Sequence, residues 1–517
     1  MRRPLIAALL CGFALTATAA AAPVFAADEP SKADAAKDAK ADKDDAKATV
    51  AETAVPNHRS IPFRGGTLAY TVTPGTLTIR NNDGEPTASV FYVAYTMDRG
   101  KDGGARPVTF LYNGGPGSST MWLHMGSFGP LKVNASPEGI PAAPFHLAPN
   151  PDTLLDKTDL VFIDAVTTGL SRPLGKAKPS DFFGVDQDLD AFTRAIERYL
   201  TINGRWNSPK FIIGESYGTL RTAGLAESLQ ANGVEMNGVA IMSTVLDIGE
   251  LFDRHDQGFV NVVPTYAAIA WYHNRLQNKP ADLQAYLQEV REFAAGPYAL
   301  ALEKGATISP AERDAIAQKL GAYIGIAPEV IIRNNLRLDA DRFRKTLELD
   351  QRKTVGRLDG RFEGEDFDAG GAGTDYDPTD ASMSGAFIGA LNDYLFRDLG
   401  YHTDLTYRPN NYAGIAGGWD WRHRVNGQRQ IAADTSYDLA EAMRRDPHLK
   451  LLSLNGLYDL ATPFFGAEYD IKHMSLEPDR EANITYRYYP SGHMIYVDPA
   501  SAAKLHDDIE AWMDSAR

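Results

Sequence analysis

Cysteine is nearly absent: Cys11 is the only one in 517 residues. An N-terminal stretch containing it reads as a removable leader, so the mature chain has no thiol and can form no disulfide, although it is directed to a compartment that permits them. Stability must therefore come from a large core. No H-E-x-x-H pattern and no paired Cys/His cluster is present, so no metal centre is expected and no cofactor is called for. Apolar runs long enough to span a membrane are also missing beyond the leader. Positive charge is in deficit: without Arg2 and Arg3 the chain has 50 basic against 67 acidic residues, which excludes nucleic acid and anionic membranes as expected partners.

The composition that remains is that of a folded protein, with 44% hydrophobic and 23% charged residues. The leader, "MRRPLIAALLCGFALTATAAAAPVFAADEP", has two arginines, a short apolar stretch broken by Pro23, and small residues around Val24-Phe25-Ala26. It reads as a signal peptide spanning 1–26, cleaved after Ala26, and implies export to a periplasm or the medium. A retained anchor fits less well because the run is short, and a lipid anchor on Cys11 is disfavoured by Leu10 before it. Residues 27–56, rich in Ala, Lys and Asp, read as a disordered linker.

Ordered structure is expected from residue 57, opening with β-rich runs separated by Pro-Gly and Asn-Asp-Gly turns, as in an antiparallel meander. Short apolar runs then alternate with helix-period segments. "PVTFLYN", "DLVFIDA", "KFIIG", "GVAIMST", "LKLLSLN" and "ITYRYY" have the length of buried strands. Leu189, Phe192, Ile196 and Leu200 share one helical face, as do Leu505, Ile509 and Trp512 near the end. The pattern predicts an α/β fold, an open and mostly parallel sheet flanked by helices, with its first part over 57–250 and its second over 431–517. Residues 251–430 break the alternation and read as a large, mainly helical cap over the carboxyl ends of the strands. Its acidic loop, 363–380, offers Asp366, Asp368, Asp375 and Asp377, but their spacing fits no calcium loop and a solvated loop is the preferred reading.

Gly214-Glu215-Ser216-Tyr217-Gly218 follows a strand-like run and precedes a helix-like one, as a G-x-S-x-G nucleophile turn requires. A serine hydroxyl needs a general base held by a third group. Asp459 and His493 each stand just past a predicted late strand, giving the order Ser216, Asp459, His493. Among the other histidines, His58, His448 and His506 read as surface residues and His423 as packed beside tryptophans. His124 reads as structural rather than as a substrate contact. The loop "LYNGGPGSSTMWLHMGSFGP" has glycine pairs directly after a strand, where backbone N–H groups can face a site unobstructed, with Tyr217 N–H as a second donor.

"NGGPGSS", "GESYG", "NGLYDLATP" and "SGHM", in this order, resemble the serine carboxypeptidase family of α/β-hydrolases over roughly 105–250 and 445–517. The resemblance implies the α/β-hydrolase fold and a serine hydrolase acting on peptides with a free C-terminus. It assigns Ser216, Asp459 and His493 to catalysis, Gly115 and Tyr217 N–H groups to an oxyanion hole, and Asn113, Gly114 and Glu215 to the substrate carboxylate. Two carboxyl groups in contact share one proton, so Glu215 would work protonated and binding would favour acidic pH. One position departs from the family: Ser127 stands where a second glutamate is usual. An esterase or acyltransferase of the same fold is the alternative enzyme. A secreted binding protein on a hydrolase scaffold is the non-enzymatic one.

Overall fold

The computed structural model describes residues 48–98, 106–135, 142–251 and 255–516. The leader and residues 27–47 of the linker lie outside them. Nine strands form the main sheet: β1 (Asn57–Phe63), β2 (Gly66–Arg80), β3 (Pro86–Met97), β4 (Val108–Tyr112), β5 (Asp159–Ile163), β6 (Lys210–Ser216), β7 (Gly238–Thr244), β8 (Lys450–Gly456) and β9 (Ile484–Tyr489). The spatial order is β1-β2-β3-β5-β4-β6-β7-β8-β9, with Arg172–Pro173 pairing on β3 as a short tenth strand. The first three strands form the expected antiparallel meander, and β3 joins β5 antiparallel. From β5 to β9 all neighbours are parallel. The parallel pairings explain why strands β4 to β8 read as near-continuous apolar runs: helices cover both faces, so each is buried on both sides, whereas β9 at the edge is half-buried up to Tyr489.

The ordered chain starts earlier than the boundary expected at 57. Val55 N–H donates to the Pro74 carbonyl, Thr76 N–H to the Thr53 carbonyl, and Thr78 N–H to Glu52. Glu52 also pairs with Arg198, so backbone bonds tie this segment to β2 and one ion pair ties it to the helix that carries Arg198.

Helix α1 (Met121–Gly126) follows the loop after β4, α2 (Val185–Ile202) precedes β6, and α3 (Tyr217–Ala231) springs directly from its end. Leu189, Phe192, Ile196 and Leu200 are buried on α2 as their spacing predicts. Between β7 and β8 lie α4 (Asp256–Tyr272), α5 (Leu283–Phe293), α6 (Pro310–Ile324) and α7 (Pro378–Asn392); the first three share a separate hydrophobic core, in which Tyr266 stacks on Phe343 at 4.0 Å, while α7 packs Met383 and Phe387 into the core that includes Phe91 and Phe162 of the sheet. In α8 (Ser436–Arg445), α9 (Phe464–Lys472) and α10 (Pro499–Ser515) the chain returns to the sheet. Trp512 of α10 lies on Gly238, where a Cβ would sit 2.4 Å from the indole.

His506 departs from expectation: it is 1% exposed. It stands three residues before Ile509, at the edge of the buried stripe of α10, and its ring meets Arg64 at 3.1 Å and Asp507 at 3.1 Å. His58 and His448 are exposed. In the acidic loop, Asp366 pairs with the buried Lys345, and Asp377 caps α7 while also accepting the N–H groups of Arg357 and Leu358. No helix among the described residues is long and apolar enough to cross a membrane.

Candidate active site

The chain reverses direction across the sheet between β4 and β6, because β5 was laid on one side of β4 and β6 on the other. Such a switch point leaves a crevice outside the carboxyl ends of the strands. The loop after β4 and the turn after β6 meet there, with Tyr112 in register with Gly214 and Met242 with Glu215.

Ser216 ends β6 and caps α3 at φ 63°, ψ −134°. For a residue with a Cβ this conformation is strained, on the order of 1–3 kcal/mol, and it is held by the strand before and the helix after. Gly214 shows why the turn needs small neighbours: a Cβ there would meet the Gly218 carbonyl at 2.1 Å. Gly114 is equally constrained, since its Cβ would lie 2.5 Å from Tyr217 N and 2.3 Å from Gly218 N. The glycine loop therefore leaves the first N–H groups of α3 uncovered. As the opening residue of the helix, Tyr217 has no carbonyl within it to satisfy its N–H. Gly115, at φ 107°, turns the same loop past the ring of Tyr412 from the cap.

Asp459 is fully buried past β8. Its Oδ1 accepts the N–H groups of Ala461 (2.8 Å) and Thr462 (3.1 Å), and its Oδ2 accepts the Thr462 hydroxyl (2.7 Å) and faces His493 Nδ1 at 2.7 Å. Each acceptor direction is used, so the carboxylate is fixed and directs the histidine's Nδ1–H toward itself, leaving Nε2 free to accept a proton. His493 is further held by its backbone: its N–H donates to Leu358 O at 2.6 Å and its carbonyl accepts Ser243 Oγ at 2.6 Å. Ser243 sits at φ 54° beside a bulge in β7. Burial alone would lower the His493 pKa, but the charge and hydrogen bond of Asp459, with Glu215 adding to them, carry it above the ordinary value. The Ser216 hydroxyl closes no hydrogen bond among the described residues, and its carbonyl accepts the Thr219 hydroxyl at 2.7 Å.

Glu215 is 2% exposed. Its Oε1 accepts Asn113 Nδ2 at 2.8 Å, and Asn113 in turn accepts Leu123 N–H at 3.0 Å, so α1 orients both. Its Oε2 has no partner. Burial pushes the carboxyl up to about 7, an effect that His493 nearby only partly offsets. Ser127 is turned away, donating to the Leu123 carbonyl at 2.5 Å.

Beneath the turn, the fully buried Arg221 donates to Asp188 (2.7 Å) and to the Asn113 carbonyl (2.8 Å), and its guanidinium lies 4.2 Å over Phe192. His124 is structural: it bonds Tyr95 Oη at 2.6 Å and stacks on Phe162, and burial lowers its pKa to about 3. His423 bridges Asp186 and Asp438 at 2.6 and 3.0 Å. The eight residues the sequence singles out thus lie on the loop after β4, the β6 turn and the two late loops. Thr462, Ser243 and the cap's Leu358 also hold the site, and the sequence motifs assign none of them a part. Only Thr462 carried a local signal, since a hydroxyl three residues after a candidate acid can reach it. A cavity of about 700 Å³ lies elsewhere, between α5 and α9, lined by Gln288, Arg291, Phe465, Glu468 and Tyr488.

The sequence pattern described as "Serine carboxypeptidase" matches residues 73–282. No curated protein sequence matches the chain. Among solved structures, KEX1(delta)p, a prohormone-processing carboxypeptidase from Saccharomyces cerevisiae, is similar at a TM-score of 0.54 and 15% identity, over 86% of this chain and 91% of that one. A proline iminopeptidase from Mycobacterium smegmatis is similar at 0.34 and 13% identity, over 85% of this chain and 98% of that one. The chain is an α/β-hydrolase-fold protein that carries the serine carboxypeptidase pattern over residues 73–282.

Proposed function

We propose that this chain is an exported serine carboxypeptidase, hydrolysing the C-terminal peptide bond through an acyl-enzyme. His493 Nε2 takes the Ser216 proton as Oγ attacks the last peptide carbonyl. The N–H groups of Gly115 and Tyr217 stabilise the oxyanion, and Asp459 stabilises the imidazolium. As the C–N bond breaks, His493 returns the proton to the leaving amine and the last amino acid departs. Water then adds to the ester, losing its proton to His493, and as the ester C–O bond breaks His493 passes that proton to Ser216 Oγ and the acid is released.

The observation that carries the substrate assignment is Glu215. A buried carboxyl beside a nucleophile repels the oxyanion if ionised, but with its proton retained it becomes a donor, and its bare Oε2 is where that donor would act. Paired with a peptide's terminal carboxylate, alongside Asn113 and the Gly114 N–H, it would share one proton between two carboxyls, which favours binding in acid. The family pattern over 73–282 supports the same reading.

Two assays test it. A serine-directed phosphonate should label the wild type and not Ser216→Ala. A blocked dipeptide should be cleaved far faster than its C-terminal amide; equal rates would favour the esterase or acyltransferase reading, and no turnover of any substrate by folded, unlabelled protein would favour a binding function.

A further inference from the structure

Glu215 Oε2 is not the only bare polar atom at this place. The Tyr496 hydroxyl, three residues past His493, is also buried and unpartnered. Tyr496 is 4% exposed, in a single 3-10 turn, Ile495–Val497. Its ring packs against Gly126 of α1: a Cβ there would sit 2.6 Å from the Tyr496 ring and 3.0 Å from that of Phe387 in α7. The hydroxyl is within reach of both Glu215 and Asn113, but the geometry completes no well-formed hydrogen bond with either. A buried polar group without a well-formed hydrogen bond is costly, so two close together beside a nucleophile mark a place that a ligand completes.

The chemistry of that ligand follows from the groups. Protonated Glu215 offers an O–H, and so does Tyr496, whose burial and proximity to Glu215 keep the phenol protonated. Two neutral donors converging on one spot fit an anion with two acceptor oxygens. Ser127 supplies nothing there, because its hydroxyl is committed to Leu123.

Resting on the reading of the site as a carboxypeptidase, we propose that the Tyr496 hydroxyl is a specificity-determining donor to the C-terminal carboxylate of the substrate, acting with Glu215, and that Gly126 is small so that the phenol can reach it. Unlike a second carboxyl group, a phenol donates without having to capture a proton.

The test compares a blocked dipeptide with its C-terminal amide on wild type, Tyr496→Phe and Gly126→Ala. Tyr496→Phe removes one oxygen and should lower the preference for the acid over the amide roughly tenfold to a hundredfold, as expected for a hydrogen bond to a charged group, with the loss in KM for the acid. Gly126→Ala displaces the ring and should lower the same preference, while phosphonate labelling of Ser216 reports that the fold is intact. A wild type that favours the acid together with a Tyr496→Phe variant that favours it equally overturns this inference alone. A wild type with no preference overturns both it and the carboxypeptidase reading.

Discussion

Replacing Glu215 by Gln keeps the side chain's shape and its acceptor for Asn113, but removes a buried acid whose titration is displaced from 4.5 to about 7. The sign of the stability effect follows from where the proton sits. Below pH 4.5 the carboxyl is protonated in folded and unfolded chains alike and costs nothing. Between 4.5 and about 7 only the folded chain holds the proton, so stability falls as pH rises, and above about 7 the full penalty applies. At about 1.4 kcal/mol for each tenfold in proton affinity, that penalty is about 3 kcal/mol. Urea unfolding of wild type and Glu215→Gln should therefore show little difference at pH 4 and a clear advantage for Gln, approaching that figure, at pH 8. Ionised Glu215 also supports His493 in its charged form, so part of the advantage returns when His493 is changed as well. A difference that does not vary with pH would refute the claim that Glu215 is a proton-holding acid.

Three further changes probe the supports of the site. Arg221→Met should destabilise the fold by about 3–5 kcal/mol, because Asp188 is left buried and uncompensated; pairing it with Asp188→Asn should recover much of the loss in chemical denaturation. His423 has its pKa raised to about 9 by Asp186 and Asp438, against a burial effect that alone would lower it. Its stabilisation is complete below its ordinary 6.5 and is lost as pH rises through about 9, so His423→Gln should lower the melting temperature at pH 6 and make little difference at pH 10. Thr462→Val removes the hydroxyl bonded to Asp459 Oδ2 and should lower kcat roughly tenfold with little change in KM, since it loosens the acid that orients His493.

Strands β6 and β8 were legible because burial on both faces leaves continuous apolar runs, with Ser216 and Asp459 at their ends, whereas His493 follows the half-buried edge strand β9. The glycines were legible for a different reason: Gly114 and Gly214 lie where any Cβ would strike the turn. Residues brought in across the fold could not be read this way. Tyr496 gains its meaning from Gly126, 370 positions earlier, and Ser243 from the carbonyl of His493. Leu358 matters only because the cap folds back on the histidine loop, and no local periodicity announces that return. His506 reads as a surface residue from its neighbours, but Asp156 and Arg64, distant in sequence, join Asp507 around the ring within the α10 interface. Likewise Glu52, inside the span read as a linker, meets Thr78 and Arg198 only across the fold.

The central claim is that a protonated Glu215 beside Ser216 recognises the end of a peptide. The most direct measurement is kcat/KM for a blocked dipeptide and for its amide from pH 4 to 8, on wild type and Glu215→Gln. The account predicts a strong preference for the acid in the wild type that declines as pH rises through about 7, and a weaker, flatter preference in the variant. Identical profiles for the two proteins, or a wild type indifferent to the terminal carboxylate, would contradict it.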